Sequence, residues 1–342
     1  MRSIAALVAG VLMASAAGCG TTAAHTAHAS VDVSSMKVGL AYDIGGRGDQ
    51  SFNDAAAAGL DDAKRNLGLR QVKELEATPG EGDQQKADRL RVLADAGYSP
   101  IIAVGYAYSD AMKKVAPDFP HTSFAIVDDD AARGRNVTNL LFAEEQGSFL
   151  VGASAALKSR TGRVGFVGGV QSPLIEKFQA GFTQGVKYVN PRASIEVKYL
   201  TQPPDITGFD DPAKARTAAQ GMYDAGADVV YQAAGGSGAG VFEAAKDHEA
   251  WAIGVDSDQA LTADPEVRPN ILTSMMKKVN VAVYDYLAGI ADGTMRAGPT
   301  VYDLRLGGVD YSTTGGHLRD IDSRLEELKQ QIIVGKIRVA SH

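Results

Sequence analysis

From residue 36 onward, short apolar runs alternate with longer amphipathic stretches. Residues 37–42 (KVGLAY), 72–76, 100–104 (PIIAV) and 123–127 (SFAIV) read as strands, the last two almost wholly apolar. Between them, 52–67, 81–96 and 109–116 read as helices; Gly97 and Pro117 are the stop signals of the second and third. The pattern then repeats, with strands predicted at 163–167 (RVGFV), 194–199, 228–232 (DVVYQ), 251–255 (WAIGV) and 271–273. The helices of this second half are predicted at 146–157, 175–189, 211–225, 239–249 and 275–291. The segment 302–311 reads as irregular or strand-like. A last amphipathic helix spans 321–333, with Leu325, Leu328 and Ile332 on one face.

Strands alternating with helices of this length predict an α/β protein with parallel sheets covered by helices on both faces. Continuous rather than alternating apolar strands fit that burial. Two such runs, meeting near Phe142, predict two similar lobes. The length agrees: 342 residues exceed what one hydrophobic core normally organises, about 250–300 residues.

In open parallel sheets, ligands bind beyond the carboxyl ends of the strands, so the residues that follow each strand are the candidates. The first strand exits into DIGGRGDQSFN, residues 43–53. This loop lacks the lysine-serine ending or strict glycine spacing of a phosphate cradle. It offers instead the carboxylates of Asp43 and Asp49, the amide of Asn53 and the ring of Phe52. Carboxylates repel phosphate but accept hydrogen bonds from neutral sugars or from base N–H groups. By periodicity Phe52 is either a core residue or an exposed stacking face. The third strand exits into Gly105 and Tyr106, the fourth into Asp128, Asp129 and Asp130, which read as a solvated turn because no calcium-loop spacing follows. In the second half the exits carry Gly168-Gly169, a Pro/Gly/Asp-rich loop containing Phe209, the glycine-rich 235–238, Asp256, and Lys277-Lys278.

Composition adds three points. Hydrophobic residues are 45% and charged residues 22%, ordinary for a folded soluble chain. The net charge of −7 offers nothing to gather phosphate backbones, so nucleic acid is not an expected partner. No G-x-S-x-G elbow occurs on a strand-to-helix turn, and His121, His248 and His317 lie away from the strand exits. A catalytic centre is therefore not expected, although a nucleoside hydrolase built on clustered aspartates is the enzyme reading to weigh. No cofactor is expected, and His25 and His28 in a polar tract do not make a metal site.

The start of the chain has its own grammar. Arg2, the apolar run 4–17 and the small residues Ala16, Ala17 and Gly18 form a secretory signal, residues 1–18, directly before Cys19. Cys19 is the single cysteine of the chain. It resembles the lipobox cysteine of bacterial lipoproteins, with Ala16 where leucine is usual. Lipidation at Cys19 is the expectation, plain signal cleavage the alternative. Residues 19–35 are expected to be a flexible tether.

Taken together, DIGGRGDQSFND (43–54), GRVGFVGGVQSPLIEKFQAGFTQGVKYVNP (162–191), GADVVYQAAGGSGAGVFEAAK (226–246), AIGVDSDQ (252–259), LTSMMKKVNVAVYD (272–285) and IIVGKIRV (332–339) resemble the basic membrane lipoprotein family, including its purine nucleoside receptor type, of ABC-transporter substrate-binding proteins. The resemblance covers nearly all of the chain after Met36. It implies the type I periplasmic binding protein fold: two Rossmann-like lobes joined by a three-crossover hinge. The lobes are expected at 36–143 plus about 274–298 and at 144–273 plus about 299–342, with crossovers near 142–146, 272–274 and 295–301. It implies no enzyme, but a monomer on the outer face of the cell membrane, held by lipid, that delivers a nucleoside to a membrane permease. By motif, Phe52 and Phe209 (alternatively Phe178) would stack on the two faces of the base. Asp43, with Asn53 nearby, would bind the base edge. Asp256 and Lys277 (alternatively Lys278) would hold the ribose, and Gly236 and Ser237 would line the sugar. A carboxylate at 43 selects ligands presenting N–H, which favours a purine. A sugar- or signal-molecule-binding protein of the same fold, or a receptor that reports to a membrane sensor, is the competing expectation.

Overall fold

The computed structural model describes residues 33–78 and 80–342. The expected signal, the lipidation at Cys19 and nearly all of the tether lie outside the described residues.

Two six-stranded sheets make up the molecule. The strands are β1 (Lys37–Ala41), β2 (Gln71–Leu75), β3 (Ile101–Ala103), β4 (Phe124–Val127), β5 (Val137–Phe142), β6 (Arg163–Val170), β7 (Ser194–Thr201), β8 (Val229–Ala233), β9 (Trp251–Asp256), β10 (Ile271–Lys277), β11 (Gly298–Tyr302) and β12 (Val309–Tyr311). The α-helices are α1 (Phe52–Leu67), α2 (Asp83–Asp95), α3 (Ser109–Val115), α4 (Glu144–Lys158), α5 (Pro173–Val189), α6 (Pro212–Asp224), α7 (Gly238–Asp247), α8 (Gln259–Thr262), α9 (Val279–Ala291) and α10 (Asp322–Ile333).

The first sheet has the order β11-β5-β4-β3-β1-β2 and is parallel throughout. The second has the order β12-β10-β9-β8-β6-β7, parallel except for the antiparallel edge strand β12. This is the predicted α/β architecture of two doubly wound lobes. The central strands are buried on both faces, as their continuous apolar runs require: β3, β4 and β8 are buried along their whole length. One apolar cluster runs from Val38 and Leu40 through Phe142, Phe149 and Met275 to Phe166 and Tyr231, so the lobes share a core where the chain crosses between them.

Several segments depart from the sequence reading or sharpen it. β5 was not expected, because Thr138 and Asn139 interrupt its apolar pattern. Asn139 is nevertheless buried, its amide donating to the Asp129 and Ala132 carbonyls at 2.9 and 2.8 Å. The helix expected from 275 begins at Val279, because Met275, Met276 and Lys277 continue β10 against β9 and β12. The segment expected to be irregular or strand-like holds the edge strand β12, and its first residue, Tyr302, closes β11. Finally, β10 belongs to the second sheet and β11 to the first. The second and third crossings therefore fall at Lys278 and between Tyr302 and Val309, a few residues after the expected 274 and 298. The first crossing falls at Ala143, between β5 and α4, inside the expected interval.

Candidate functional site

β1, β3, β4, β8, β9 and β10 all end at one cleft between the lobes. It holds about 550 Å³ of unfilled space, part of it open to solvent. Its wall contains Asp43, Phe52, Asn53, Tyr106 and Asp128 from the first lobe, and Phe178, Phe209, Gly236, Asp256 and Lys277 from the second.

The first-lobe wall is built by a loop folded onto the N-terminus of α1. Asp49 accepts the backbone N–H groups of Ser51, Asn53 and Asp54 and the side-chain amide of Asn53, satisfying donors that a helix start leaves free. Asn53 accepts the Asp43 N–H at 3.0 Å and donates to the Ile44 carbonyl at 3.1 Å. Its amide is thus committed to holding the loop that presents Asp43. Oδ1 of Asp43 accepts the Ile44 N–H at 2.8 Å, while Oδ2 lies against Gly105. Gly105 has φ +102°, and a Cβ there would overlap Oδ2, so glycine is required at this strand exit. Burial, opposed by the Ile44 N–H and the Lys86 charge, pushes the Asp43 carboxyl up to about 6.

The second-lobe wall depends on a close backbone approach. Phe209 closes a short 3-10 turn after β7, and its ring packs over Gly169, where a Cβ would lie 2.6 Å from Phe209 Cε1. The same ring makes an edge contact with Tyr106 across the cleft, centroids 6.5 Å apart at 75°. Phe178 projects from α5, two turns in from its N-cap Ser172. Phe52 is half-buried, so it is neither a plain core residue nor fully exposed.

Opposite Asp43 in composition is a charged cluster. Lys277 pairs with Asp128 and lies 3.7 Å from Asp256. Its ammonium also sits over three rings, 4.6 Å from the centroid of Phe52, 5.3 Å from Phe178 and 5.6 Å from Phe142, close enough for cation–π attraction. Burial opposes the charge of Lys277, but Asp128, Asp256 and Glu144 outweigh it and hold the group above the ordinary lysine range. Asp256 is buried, which raises its carboxyl against the stabilising charge of Lys277. Its Oδ2 accepts the Ser51 hydroxyl at 2.7 Å from the other lobe. Ser51 precedes α1 but leaves the capping to Asp49, which frees its side chain for this bond. Two more bonds cross nearby: Ser257 Oγ donates to the Ser51 carbonyl at 3.1 Å, and Gln259 Nε2 to the Gln50 carbonyl at 3.1 Å.

Three sequence expectations change. Asp128 is not part of a solvated turn: it is buried at the exit of β4 with φ +63°, and its Oδ1 has no hydrogen-bond partner among the described residues. Ser237 does not line the cleft. It is fully buried, donating to the Gly208 carbonyl at 2.8 Å and accepting the Asp211 N–H at 2.7 Å, so it braces the loop that carries Phe209. Lys278, the first residue past β10 and the N-cap of α9, is not part of the cleft wall, and its N–H pairs with the Gly308 carbonyl. Of the two aromatic alternatives, Phe209 and Phe178 both reach the cleft. Tyr106, Leu174 and Ile175 complete the wall. The strand-exit rule marked Gly105-Tyr106 without saying that the ring turned inward, and Leu174 and Ile175, in the first turn of α5, carried no such signal. Among the described residues, no cluster of side chains suits a metal ion. No helix there is long and apolar enough to cross a membrane.

Comparison with known proteins agrees with this arrangement. A curated relative, the CD4+ T-cell-stimulating antigen of Listeria monocytogenes, is 36% identical, covering 88% of this chain and 87% of its own. The ABC transporter nucleoside-binding protein BmpA of Lactococcus lactis is 32% identical, covering 90% and 89%. Other relatives are named as lipoproteins or basic membrane proteins, among them basic membrane protein A of Borreliella burgdorferi. Among solved structures, an ABC transporter solute-binding protein of Aeropyrum pernix superposes with a TM-score of 0.78 at 29% identity, covering 90% of this chain and 94% of that one. Residues 36–342, both sheets and the whole cleft wall, match the family described as ABC transporter substrate-binding protein, PnrA-like. By fold, by cleft and by extent of match, the chain belongs to the PnrA-like family of ABC transporter substrate-binding proteins.

Proposed function

We propose that the protein captures a nucleoside, with a purine base, between its two lobes and delivers it to the permease of an ABC transporter, as a monomer anchored by lipid at Cys19 on the outer face of the membrane. The observation that carries this reading is the pairing of walls in one cleft. Phe52 comes from one lobe and Phe209 and Phe178 from the other, with the acceptor Asp43 and the cluster Asp128, Asp256 and Lys277 bordering the same space. A flat base between aromatic rings gains roughly 1–3 kcal/mol per stacking partner, as in single-strand binders. Asp43 accepts N–H from the base edge. Asp256, Lys277 and the unpartnered Oδ1 of Asp128 supply acceptors and a donor for ribose hydroxyls. The name of the Lactococcus lactis relative points the same way. Because contacts come from both lobes, ligand binding favours the closed arrangement by their sum, and a permease can read that closure. Solute capture needs no cofactor and no catalytic group.

Isothermal titration of the chain, freed of bound ligand, against adenosine, guanosine, inosine, uridine, cytidine and ribose tests the reading. Tight binding of purine nucleosides with ribose silent is expected. Binding of ribose or another sugar with every nucleoside silent would overturn the ligand class and leave the hinged trap standing.

A further inference from the structure

A second space adjoins the cleft on the Asp43 side. It holds about 500 Å³, continuous with solvent, and shares Asp43 and Ile44 with the cleft but none of Asp128, Asp256 and Lys277. Its walls come from both lobes. Ala77, Thr78, Gly80 and Glu81 follow β2, and 204–207 (Pro, Asp, Ile, Thr) precede the Phe209 turn. The apolar part of the wall is Ile44, Ala77, Pro204 and Ile206. Glu81 is spoken for, accepting Arg89 and the Thr78 N–H. Asp205 is exposed and uses Oδ1 to accept the Thr207 N–H and hydroxyl. Lys86 is buried, and its charge acts on Asp43 and Glu81. A solvent-open, two-walled chamber beside Asp43 is more space than an unsubstituted base at Asp43 would need.

We infer that this chamber is a substituent subsite: the protein takes nucleosides whose exocyclic base nitrogen carries an alkyl- or benzyl-sized group, with Asp43 accepting the remaining N–H and the group lying between Ala77, Thr78, Gly80 and Glu81 on one side and 204–207 on the other. The inference rests on the nucleoside reading above and deepens it. A monosubstituted exocyclic amine keeps one N–H, so it still satisfies the acceptor that a buried carboxylate presents. A substituent leaving the base at that nitrogen must pass Asp43, and the chamber is the volume that shares Asp43 with the cleft. Its apolar residues would cover a hydrocarbon group, while Asp205 and the rim leave room for a polar end.

The test uses the full chain and two ligand pairs, adenosine with N6-benzyladenosine and guanosine with N2-benzylguanosine, titrated against wild type, Ala77→Trp and Thr78→Trp. For whichever parent binds, its benzyl derivative is expected within about fivefold of the parent's Kd in wild type. Either tryptophan is expected to weaken the derivative at least tenfold while moving the parent less than threefold; two variants guard against one that misfolds. A derivative bound more than a hundredfold more weakly than its parent by wild type overturns the subsite and leaves nucleoside capture intact. So does an equal loss of parent and derivative in both folded variants. Silence of both parents and both derivatives overturns the nucleoside reading and this inference with it.

Discussion

Asp43 has one oxygen committed to the Ile44 N–H and the other facing the cleft, in surroundings that raise its carboxyl from 3.8 to about 6. A carboxyl that holds its proton more tightly folded than unfolded stabilises the fold in its neutral form. That contribution grows as pH falls from about 6 toward 3.8 and is lost as pH rises through about 6. Ligand binding runs the other way, since accepting a base N–H needs the ionised group. Nucleoside affinity is therefore expected to fall about tenfold per pH unit below about 6, and Asp43→Asn to bind weakly with that dependence removed. Titrations at pH 5.0, 6.0 and 7.5 check both. Phe52 is the other residue whose role is local, as the first residue of α1 facing the Lys277 ammonium. Phe52→Ala is expected to weaken purine nucleosides by about 1–3 kcal/mol, roughly 5- to 150-fold, with unchanged circular dichroism. Unchanged affinity in that variant would remove the stacking role.

At the scale of elements, the loop after β1 does two jobs through one substitution of roles. Asp49 caps α1, so Ser51 at the nominal cap position is free to bond Asp256 in the other lobe. Closure and the orientation of Asp256 are thereby tied together. Removing the hydroxyl leaves a buried carboxylate oxygen short of a donor, at a cost of about 1–3 kcal/mol. Ser51→Ala should raise the nucleoside dissociation rate about 5- to 150-fold while leaving association nearly unchanged, because interface losses fall mostly on koff. Surface plasmon resonance measures both rates; an unaltered koff would dismiss the latch. The elements themselves were largely legible. α1 was read with its bounds, and most strands to within three residues, because continuous apolar runs bounded by glycine and proline are strong local signals. β5 escaped because its polar Asn139 is satisfied by carbonyls of a preceding turn, a partner that no periodicity shows.

For the whole molecule, the shared apolar cluster through Phe142, Phe149 and Met275 couples the two lobes at the crossings. A ligand that touches both lobes then stabilises one cooperative unit. Nucleoside at a hundred times its Kd adds about 2.7 kcal/mol. Calorimetry should show a single unfolding transition shifted up by about 4 °C or more with a purine nucleoside and not with ribose. Two transitions, with only one moved, would mean that the lobes unfold separately and the ligand sits on one of them.

The sequence by itself determined the alternation that makes two parallel sheets, and hence that the strand exits would form the cleft. It also marked Asp43, Phe52, Asn53, Phe209, Gly236, Asp256 and Lys277 as exit residues, since each follows or ends a recognisable element. Only the tertiary structure decided which of their neighbours join them. Asp128 meets Lys277 across 149 positions of chain, a contact set by which strands end side by side across the hinge. Lys277 rather than Lys278 lines the cleft because β10 runs on through 277 and ends there, while Lys278 already caps α9. Ser237 turns away to hold the Gly208 carbonyl, and Tyr106 turns in against Phe209. Local pattern fixes where a residue stands along its element; the direction its side chain takes, and the partner it meets, depend on register and packing between segments far apart in sequence.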